Sequence, residues 1–323
     1  MTGKSPVEVV VSEYSGNNFH AIRYVLAALV LYSHSYGLLA LREPVILGHT
    51  FGSFAVQGFF ALSGYLIVLS CYRVGHLGHY FLNRILRILP ALLVALLLSH
   101  FLSIAFDRFT GNPVQYIVNG PIWTLSWEVL CYILCGLLWW LGLLQTSALG
   151  GLLVALWVAF VTAPTQGETN AVIAPLMLLF FSGGFVALNE RHLNLRVAGF
   201  FCLLVLAFLA VDNQASWIQK LLAEIPFLYG PGISAKRHQE LIYLLCLPFA
   251  LIWLGRHLKL KLSLRSDYSY GLYIFGWPVQ QVLIALFPVI HPLVLFASAL
   301  MITHLSAMIS WHMLEKRALE FKF

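Results

Sequence analysis

The sequence predicts an all-α protein, a polytopic bundle of about ten transmembrane helices with both termini in the cytoplasm. Of its 323 residues, 60% are hydrophobic and only 10% are charged, and the mean hydropathy is +0.84. A water-soluble chain of this length cannot bury so much apolar surface. Apolar runs of about 18 residues or more recur along the chain, and each can cross roughly 30 Å of hydrocarbon as a helix. Lys and Arg gather at the ends of these runs, which indicates an orientation.

The candidate spans follow one another with short connections, except for one long polar segment before the eighth. The fifth and seventh spans are short. In chain order the ten spans cover approximately residues 20–41, 50–71, 88–106, 121–145, 149–163, 171–188, 197–211, 240–255, 268–287 and 291–312.

The distribution of basic residues gives the predicted orientation. With the N-terminus inside, 14 of the 19 Lys and Arg residues fall on the cytoplasmic side and 5 outside, as the positive-inside rule requires. The first apolar run is full length and has no small-residue cleavage site behind it, so we interpret it as a span rather than a signal peptide. The chain is thus expected to be one membrane domain over residues 1–323, with a cytoplasmic segment at 1–18 and an extracytoplasmic loop at 212–239.

Composition also argues against several functions. The net charge of +6 does not indicate nucleic-acid binding, because the basic residues lie at helix ends. The five cysteines all lie in or beside apolar runs and lack metal-ligand spacing, so we expect small core residues, with neither a metal site nor a disulfide framework.

The first span carries two residues that are costly in hydrocarbon, Arg23 and His34. Eleven helical steps of about 100° return to within roughly 20° of the same face, and the rise between the two residues is about 16 Å. Arg23 taken alone could be a snorkelling anchor, and His34 alone a hydrogen-bonded interior histidine. Their shared face indicates one site, with Arg23 at its cytoplasmic end.

Two further parts of the sequence carry residues that suggest a binding or catalytic role. Arg84 and Arg87 lie at the predicted cytoplasmic start of the third span, and their forked guanidinium groups suit phosphate oxygens; membrane anchoring would also place arginines there. Glu128 lies about 10 Å inside the fourth span, at a depth that matches His34. We therefore predict that this carboxylate pairs with the imidazole and raises its basicity, although a structural clamp between helices would use the same residue.

These residues, with several short motifs, resemble the acyltransferase 3 family of integral membrane acyltransferases over nearly the whole chain. The Arg23-to-His34 spacing is similar to the family's first-helix signature. The pair Arg84 and Arg87, followed by Pro90, matches its Arg-x-x-Arg segment. Other similar segments, in order, are GFFALSGYLI with Ser63, WTLSWEVLCYIL with Trp123, Glu128 and Tyr132, SYGLYIFGWPV, and WHMLEKR.

The chain departs from the family pattern at two positions. Gly276 stands where the family usually has a histidine, which leaves the role of that position open. Arg317 stands where a proline is common.

The resemblance implies transfer of an acyl group, commonly acetyl from acetyl-CoA, to a hydroxyl of a carbohydrate or cell-envelope glycan. It also implies that the protein lies in the inner membrane of a bacterium, in contact with membrane lipids. It implies catalytic roles for His34 and Glu128, donor binding by Arg23, Arg84 and Arg87, and substrate binding by Ser63, Trp123 and Tyr132. No metal is implied. The oligomeric state, the acyl group, the acceptor and the choice between a general-base and an acyl-carrier histidine stay open.

A different class of protein would use some of the same residues. Intramembrane Arg, His and Glu side chains also form ion or proton pathways in transporters, here for a lipid-linked glycan or a small metabolite. Paired half-chains with broken helices, common in transporters, are not evident. A scaffold subunit without chemistry is the third alternative.

Overall fold

A computed structural model describes residues 18–162, 168–211, 235–258 and 266–321 of the chain. Most of the predicted N-terminal segment and of the loop at 212–239 lie outside the described residues. So do some of the basic residues that gave the orientation, which are Lys4, Lys220, Lys259, Lys261, Arg265 and Lys322.

Helices make up most of the described residues, as predicted. A two-stranded hairpin, β1 (Val45–Ile46) and β2 (His49–Thr50), joins the first two of them, and the chain closes with a π-helical turn, Trp311–Glu315, and the short helix α11, Lys316–Leu319. The long helices are α1 (Phe19–Gly37), α2 (Phe51–Val74), α3 (Leu77–Ala105), α4 (Ile122–Trp140), α5 (Thr146–Thr162), α6 (Glu168–Asn189), α7 (Leu195–Val211), α8 (Ala235–His257), α9 (Ser269–Leu286) and α10 (Pro292–Ser310).

Each predicted span coincides with one of these helices, but the number of membrane crossings stays a prediction. Within the described residues, six helical segments are long and apolar enough to cross a membrane. These are Phe51–Val74, Leu77–Ala105, Ile122–Trp140, Val172–Asn189, Gln239–His257 and Pro292–Leu319. Thr146–Phe160 and Leu195–Val211 are shorter apolar helices. The side on which each terminus lies also stays a prediction.

The helix of the third predicted span extends further toward the N-terminus than residue 88, because α3 begins at Leu77. His76 caps this helix by accepting a hydrogen bond from the Gly78 amide. Asn83 is fully buried, and Arg84 and Arg87 also face the bundle. These polar residues therefore lie on the inward face of the helix. Arg84 and Arg87 lie inside α3 rather than at its beginning.

The centre of the bundle is α2, which packs against α1, α4, α6 and α8 and is buried over most of its length. Its contact with α6 brings the two backbones together at Gly64. A Cβ built on Gly64 would lie 1.7 Å from the Phe180 carbonyl oxygen, and one on Gly183 would lie 2.0 Å from the Ala61 carbonyl oxygen. Small residues that allow such an approach are a general feature of helix packing in membranes.

Replacing Gly64 with alanine is therefore expected to force α2 and α6 apart. Overpacking of this kind costs about 1–3 kcal/mol, and the contact here is with backbone that cannot rotate away. We expect a lower unfolding midpoint in detergent, measured by tryptophan fluorescence. Gly151→Ala is the matched control, because nothing lies within 4 Å of a Cβ at that exposed helical position. Equal midpoints for the two variants would contradict this packing.

Candidate active site

Three cavities lie in a row between α1, α2, α4 and α9. We name them by their residues. The His34 cavity has a volume of about 960 Å³, the Glu128 cavity is a narrow space of about 30 Å³, and the arginine cavity measures about 330 Å³. Val56, Thr124 and Tyr273 line both the His34 cavity and the Glu128 cavity. Arg23 lines both the Glu128 cavity and the arginine cavity. The row therefore follows the helix face that carries Arg23 and His34.

His34 presents its ring to the largest of the three cavities. The ring lies edge-on to the indole of Trp277, with the two centroids 4.9 Å apart. Trp277 is held in place by a hydrogen bond of 2.8 Å from its Nε1 to the Ile117 carbonyl. Among the described residues the His34 imidazole has no hydrogen-bond partner. Its nitrogens are thus positioned to act on a molecule in the cavity.

Glu128 lies in the narrow middle cavity, but the predicted pairing with His34 is not formed. The Glu128 Oε1 accepts hydrogen bonds from the Ser63 hydroxyl at 2.7 Å and from the Tyr132 hydroxyl at 2.5 Å. Tyr132 is four residues further along α4, one helical turn away, and Ser63 faces it from α2. The Glu128 carboxylate therefore faces α2 and the next turn of α4 rather than His34.

The junction between the His34 and Glu128 cavities is closed by a hydrogen bond between two helices. The hydroxyl oxygens of Thr124 on α4 and Tyr273 on α9 are 2.5 Å apart. A ligand that passes from one cavity to the other must therefore separate these two side chains or pass beside them.

The three arginines meet at the far end of the row, together with an acidic residue that the sequence analysis missed. Asp267, just before α9, is 5% exposed. Its Oδ2 lies 2.5 Å from an Arg87 nitrogen, 3.0 Å from an Arg23 nitrogen and 3.6 Å from the His20 ring. The same side chain accepts hydrogen bonds from the backbone amide and the hydroxyl of Ser269. Asp267 thereby ties α1, α3 and the start of α9 together.

The charge of Asp267 is set by these neighbours. Burial alone would raise the pKa of its carboxyl, but the adjacent Arg23 and Arg87 charges outweigh burial and hold the pKa well below its ordinary value. A carboxyl whose pKa is lowered on folding stabilises the fold above its unfolded pKa, and that contribution is lost only as the pH falls through the folded pKa. Asp267 is therefore ionised throughout the physiological range.

Arg84 differs from the other two arginines because no carboxylate in the described part of the chain lies at ion-pair distance from it. Its guanidinium donates to the Ser70 hydroxyl at 3.2 Å and lies 5.9 Å from the centre of the Tyr80 ring. Its Nε is buried and has no hydrogen-bond partner. The three predicted arginines therefore differ in their carboxylate neighbours. Arg23 and Arg87 are neutralised in part by Asp267, and Arg84 keeps its full charge beside the cavity.

The remaining predicted site residues occupy different parts of the row. Trp123 is 52% exposed and lines the His34 cavity. Ser63 and Tyr132 hold Glu128, and Tyr132 also reaches the arginine cavity. Gly276 faces α1, where a Cβ would lie 2.7 Å from the Leu31 Cδ1. Position 276 is therefore a close helix contact that has no room for a histidine unless Leu31 moves.

Sequence reasoning also missed residues on the wall of the His34 cavity, notably Glu43, Asn119 and Trp277. Asn119 donates to the Ile274 carbonyl at 2.8 Å, and its buried Oδ1 has no hydrogen-bond partner in the described part of the chain. Glu43 and Asn119 are in connecting segments, where helix periodicity carries no information. Within the described residues, no group of three or more His, Cys, Asp or Glu side chains is placed to hold a metal ion, and the five cysteines are free.

Comparison with known proteins identifies the family of the chain that contains these cavities. The profile of the acyltransferase domain family, acyltransferase 3, matches residues 17–312. The chain therefore belongs to this family of membrane acyltransferases, as its motifs predicted.

Two curated relatives match over nearly their full lengths. The chain is 29% identical to an O-acetyl transferase of Shigella phage Sf6, over 95% of this chain and 97% of the relative. It is 26% identical to nodulation protein 10 of Rhizobium leguminosarum bv. viciae, over 95% and 94% of the two chains. No solved structure gives a significant match. The protein is thus an integral membrane enzyme that transfers acyl groups.

Proposed function

We propose that the protein transfers an acetyl group from acetyl-CoA to a hydroxyl of a carbohydrate in the bacterial cell envelope, and that it does so in the cytoplasmic membrane. The observation that carries this proposal is the row of cavities that connects a cationic end at Arg84 with an imidazole at His34. The donor combines polyanionic phosphates with a thin, uncharged arm that ends in a thioester. Such a molecule matches a row that is cationic at one end and narrow in the middle.

The phosphates of the donor are assigned to the arginine cavity. Arg84, which has no carboxylate partner among the described residues, contacts them directly, since charge-assisted hydrogen bonds to phosphate are strong. Arg23 and Arg87 add positive potential, and Asp267 fixes their positions. The pantetheine arm then runs past Glu128, and about 16 Å separates Arg23 from His34 along α1 at 1.5 Å per residue.

The acceptor is assigned to the His34 cavity. Its volume of about 960 Å³ lies within the range of roughly 300–1,000 Å³ usual for small-molecule sites. Indole faces at Trp123 and Trp277 offer apolar contact to the ring faces of a sugar. The Asn119 Oδ1 and the Glu43 carboxylate offer hydrogen-bond acceptors to its hydroxyl groups.

In the proposed reaction His34 removes the proton from the acceptor hydroxyl while the oxygen attacks the thioester carbonyl. The carbon–sulfur bond breaks, and the CoA thiolate leaves and takes up a proton. General-base assistance of this kind contributes about 10²–10⁴-fold to a rate. Glu128, held by the Ser63 and Tyr132 hydroxyls, lines the narrow passage through which the donor arm runs. The relative named as an O-acetyl transferase supports acetyl as the group transferred.

The test is an acetyl-transfer assay on the purified protein in proteoliposomes. Acetyl-CoA labelled in the acetyl group is supplied with a saccharide fraction of the envelope from the host cell. We expect label in the saccharide as an alkali-labile ester. Passage of saccharide across the vesicle membrane without any acetylation would overturn the proposal and favour a transporter.

A further inference from the structure

Glu43 stands out among the acidic side chains of the interior. It lies between the end of α1 and strand β1 and lines the His34 cavity. Its Oε2 accepts a hydrogen bond from the Ser33 hydroxyl. Its Oε1 lies against Gly37, where a Cβ would be 3.1 Å away. The carboxylate is thus held along the side of α1, over the turn that carries Ser33 and His34.

Most other carboxylates around the bundle interior lie beside a basic group, and Glu128 is instead held by the Ser63 and Tyr132 hydroxyls. Asp267 lies between Arg23 and Arg87. A Glu190 oxygen lies 2.6 Å from an Arg256 nitrogen, and a Glu240 oxygen lies 3.1 Å from the His49 Nε2.

Glu43 has no basic partner among the described residues, and the Ser33 hydroxyl is its one hydrogen-bond donor there. A carboxylate offers about four lone-pair positions. Because Glu43 lines the His34 cavity, positions that Ser33 does not use are available to a molecule bound there. The groups that would satisfy a half-buried anion without adding a charge are neutral O–H donors.

We propose that Glu43 is the residue that binds the acceptor, by accepting hydrogen bonds from one or two hydroxyl groups adjacent to the hydroxyl that reacts. This inference rests on the proposed function. Ser33 and His34 are consecutive on α1, so the carboxylate that Ser33 orients flanks the same helical turn as the imidazole. A polyol fits this arrangement, because one hydroxyl is held at Glu43 while a neighbouring hydroxyl reaches His34. The buried Asn119 Oδ1, which has no partner among the described residues, offers a second acceptor on the same wall.

The role assigned to Glu43 is binding of the acceptor. This role predicts that a change at Glu43 alters KM for the acceptor but not kcat. Glu43→Gln keeps the shape but removes the charge, and the loss of charge-assisted hydrogen bonds is expected to raise KM for the acceptor by about tenfold or more. The value of kcat and the Kd for acetyl-CoA are expected to stay within about twofold, because the interaction is made equally in the bound state and in the transition state.

The probes are methyl hexopyranosides and the corresponding monodeoxy glycosides, assayed with labelled acetyl-CoA. In the wild-type protein, the deoxy compound that lacks the hydroxyl bound by Glu43 should show a raised KM. For that deoxy compound alone, the substitution Glu43→Gln should cause little further rise in KM. Glu320→Gln is the matched control, because it removes the same charge from an exposed side chain near the end of the chain. Its KM for each glycoside is expected to be close to wild type.

The possible results separate the two proposals. If the wild-type protein acetylates the glycosides and Glu43→Gln leaves every acceptor KM unchanged, the role of Glu43 is overturned and the acyltransferase proposal stands. A fall in kcat without a rise in KM would also overturn it. If the wild-type protein acetylates none of these glycosides, the carbohydrate acceptor itself is contradicted, together with the role of Glu43.

Discussion

Replacing His34 with alanine is expected to lower acetyl transfer by about 10²–10⁴-fold, because the reaction loses its general base. The ring has no hydrogen bond to other described residues, so its removal breaks no polar network. We expect a normal unfolding midpoint and an unchanged Kd for acetyl-CoA. The measurement is the single-turnover rate of acetyl transfer in proteoliposomes at saturating donor.

His100→Ala is the matched control, since His100 lies on the exposed side of α3 and should leave the rate unchanged. A transfer rate for His34→Ala close to that of wild type would remove His34 from the mechanism. Acid quenching and mass spectrometry of the wild-type protein would show acetylated His34 if the imidazole carries the acyl group; its absence during turnover would support the general-base role.

Replacing Asp267 with asparagine is expected to have the largest effect on stability. The substitution removes the nearest anion from the guanidinium groups of Arg23 and Arg87, and Arg87 keeps only the more distant Glu315 carboxylate at 3.6 Å. Breaking one partner of a buried ion pair costs about 3–5 kcal/mol. The expected result is a markedly lower unfolding midpoint together with weaker donor binding, because the arginines no longer hold their positions. Both are measured on the purified protein in detergent.

Two further variants test whether loss of the Asp267 charge causes the lower unfolding midpoint. Asp267→Glu keeps the charge and should recover part of the stability. Asp107→Asn removes a carboxylate from an exposed loop and should change stability by less than about 0.5 kcal/mol. If Asp267→Asn unfolds at the wild-type midpoint, the ion pairs do not hold α1, α3 and α9 together.

The sequence was sufficient to locate the helices, because each long apolar run has the length and the composition of a helix in lipid. The apolar run did not show where α3 begins, because the first turns of this helix carry Asn83 and the two arginines. A polar side chain can lie in a connection or face a buried cavity, and local composition does not distinguish the two cases.

The structure places the predicted site residues along one row of cavities, but their contact partners differ from those that the sequence suggested. Depth along a helix fixes only one coordinate, so Glu128 and His34 could lie at similar depths and still face different neighbours. The contact partners of Arg84 and Arg87 were equally unpredictable from their spacing. Three helical steps of about 100° place the two side chains in different environments. The contact between Arg87 and Asp267 joins residues 180 positions apart, and no spacing rule along the chain anticipates it.

The central claim is that one end of the row binds the donor through Arg84 while the other end performs the chemistry at His34. Calorimetric titration of acetyl-CoA into the purified wild-type protein, Arg84→Ala, His34→Ala and Arg42→Ala tests it most directly. Arg42 is exposed and serves as the control for loss of a positive charge. We expect saturable binding to the wild type, a Kd about 10–100-fold higher for Arg84→Ala, in line with the loss of a charged hydrogen bond, and little change for His34→Ala and Arg42→Ala. Equal affinities for all four proteins, or no binding to a folded wild-type protein, would contradict the claim.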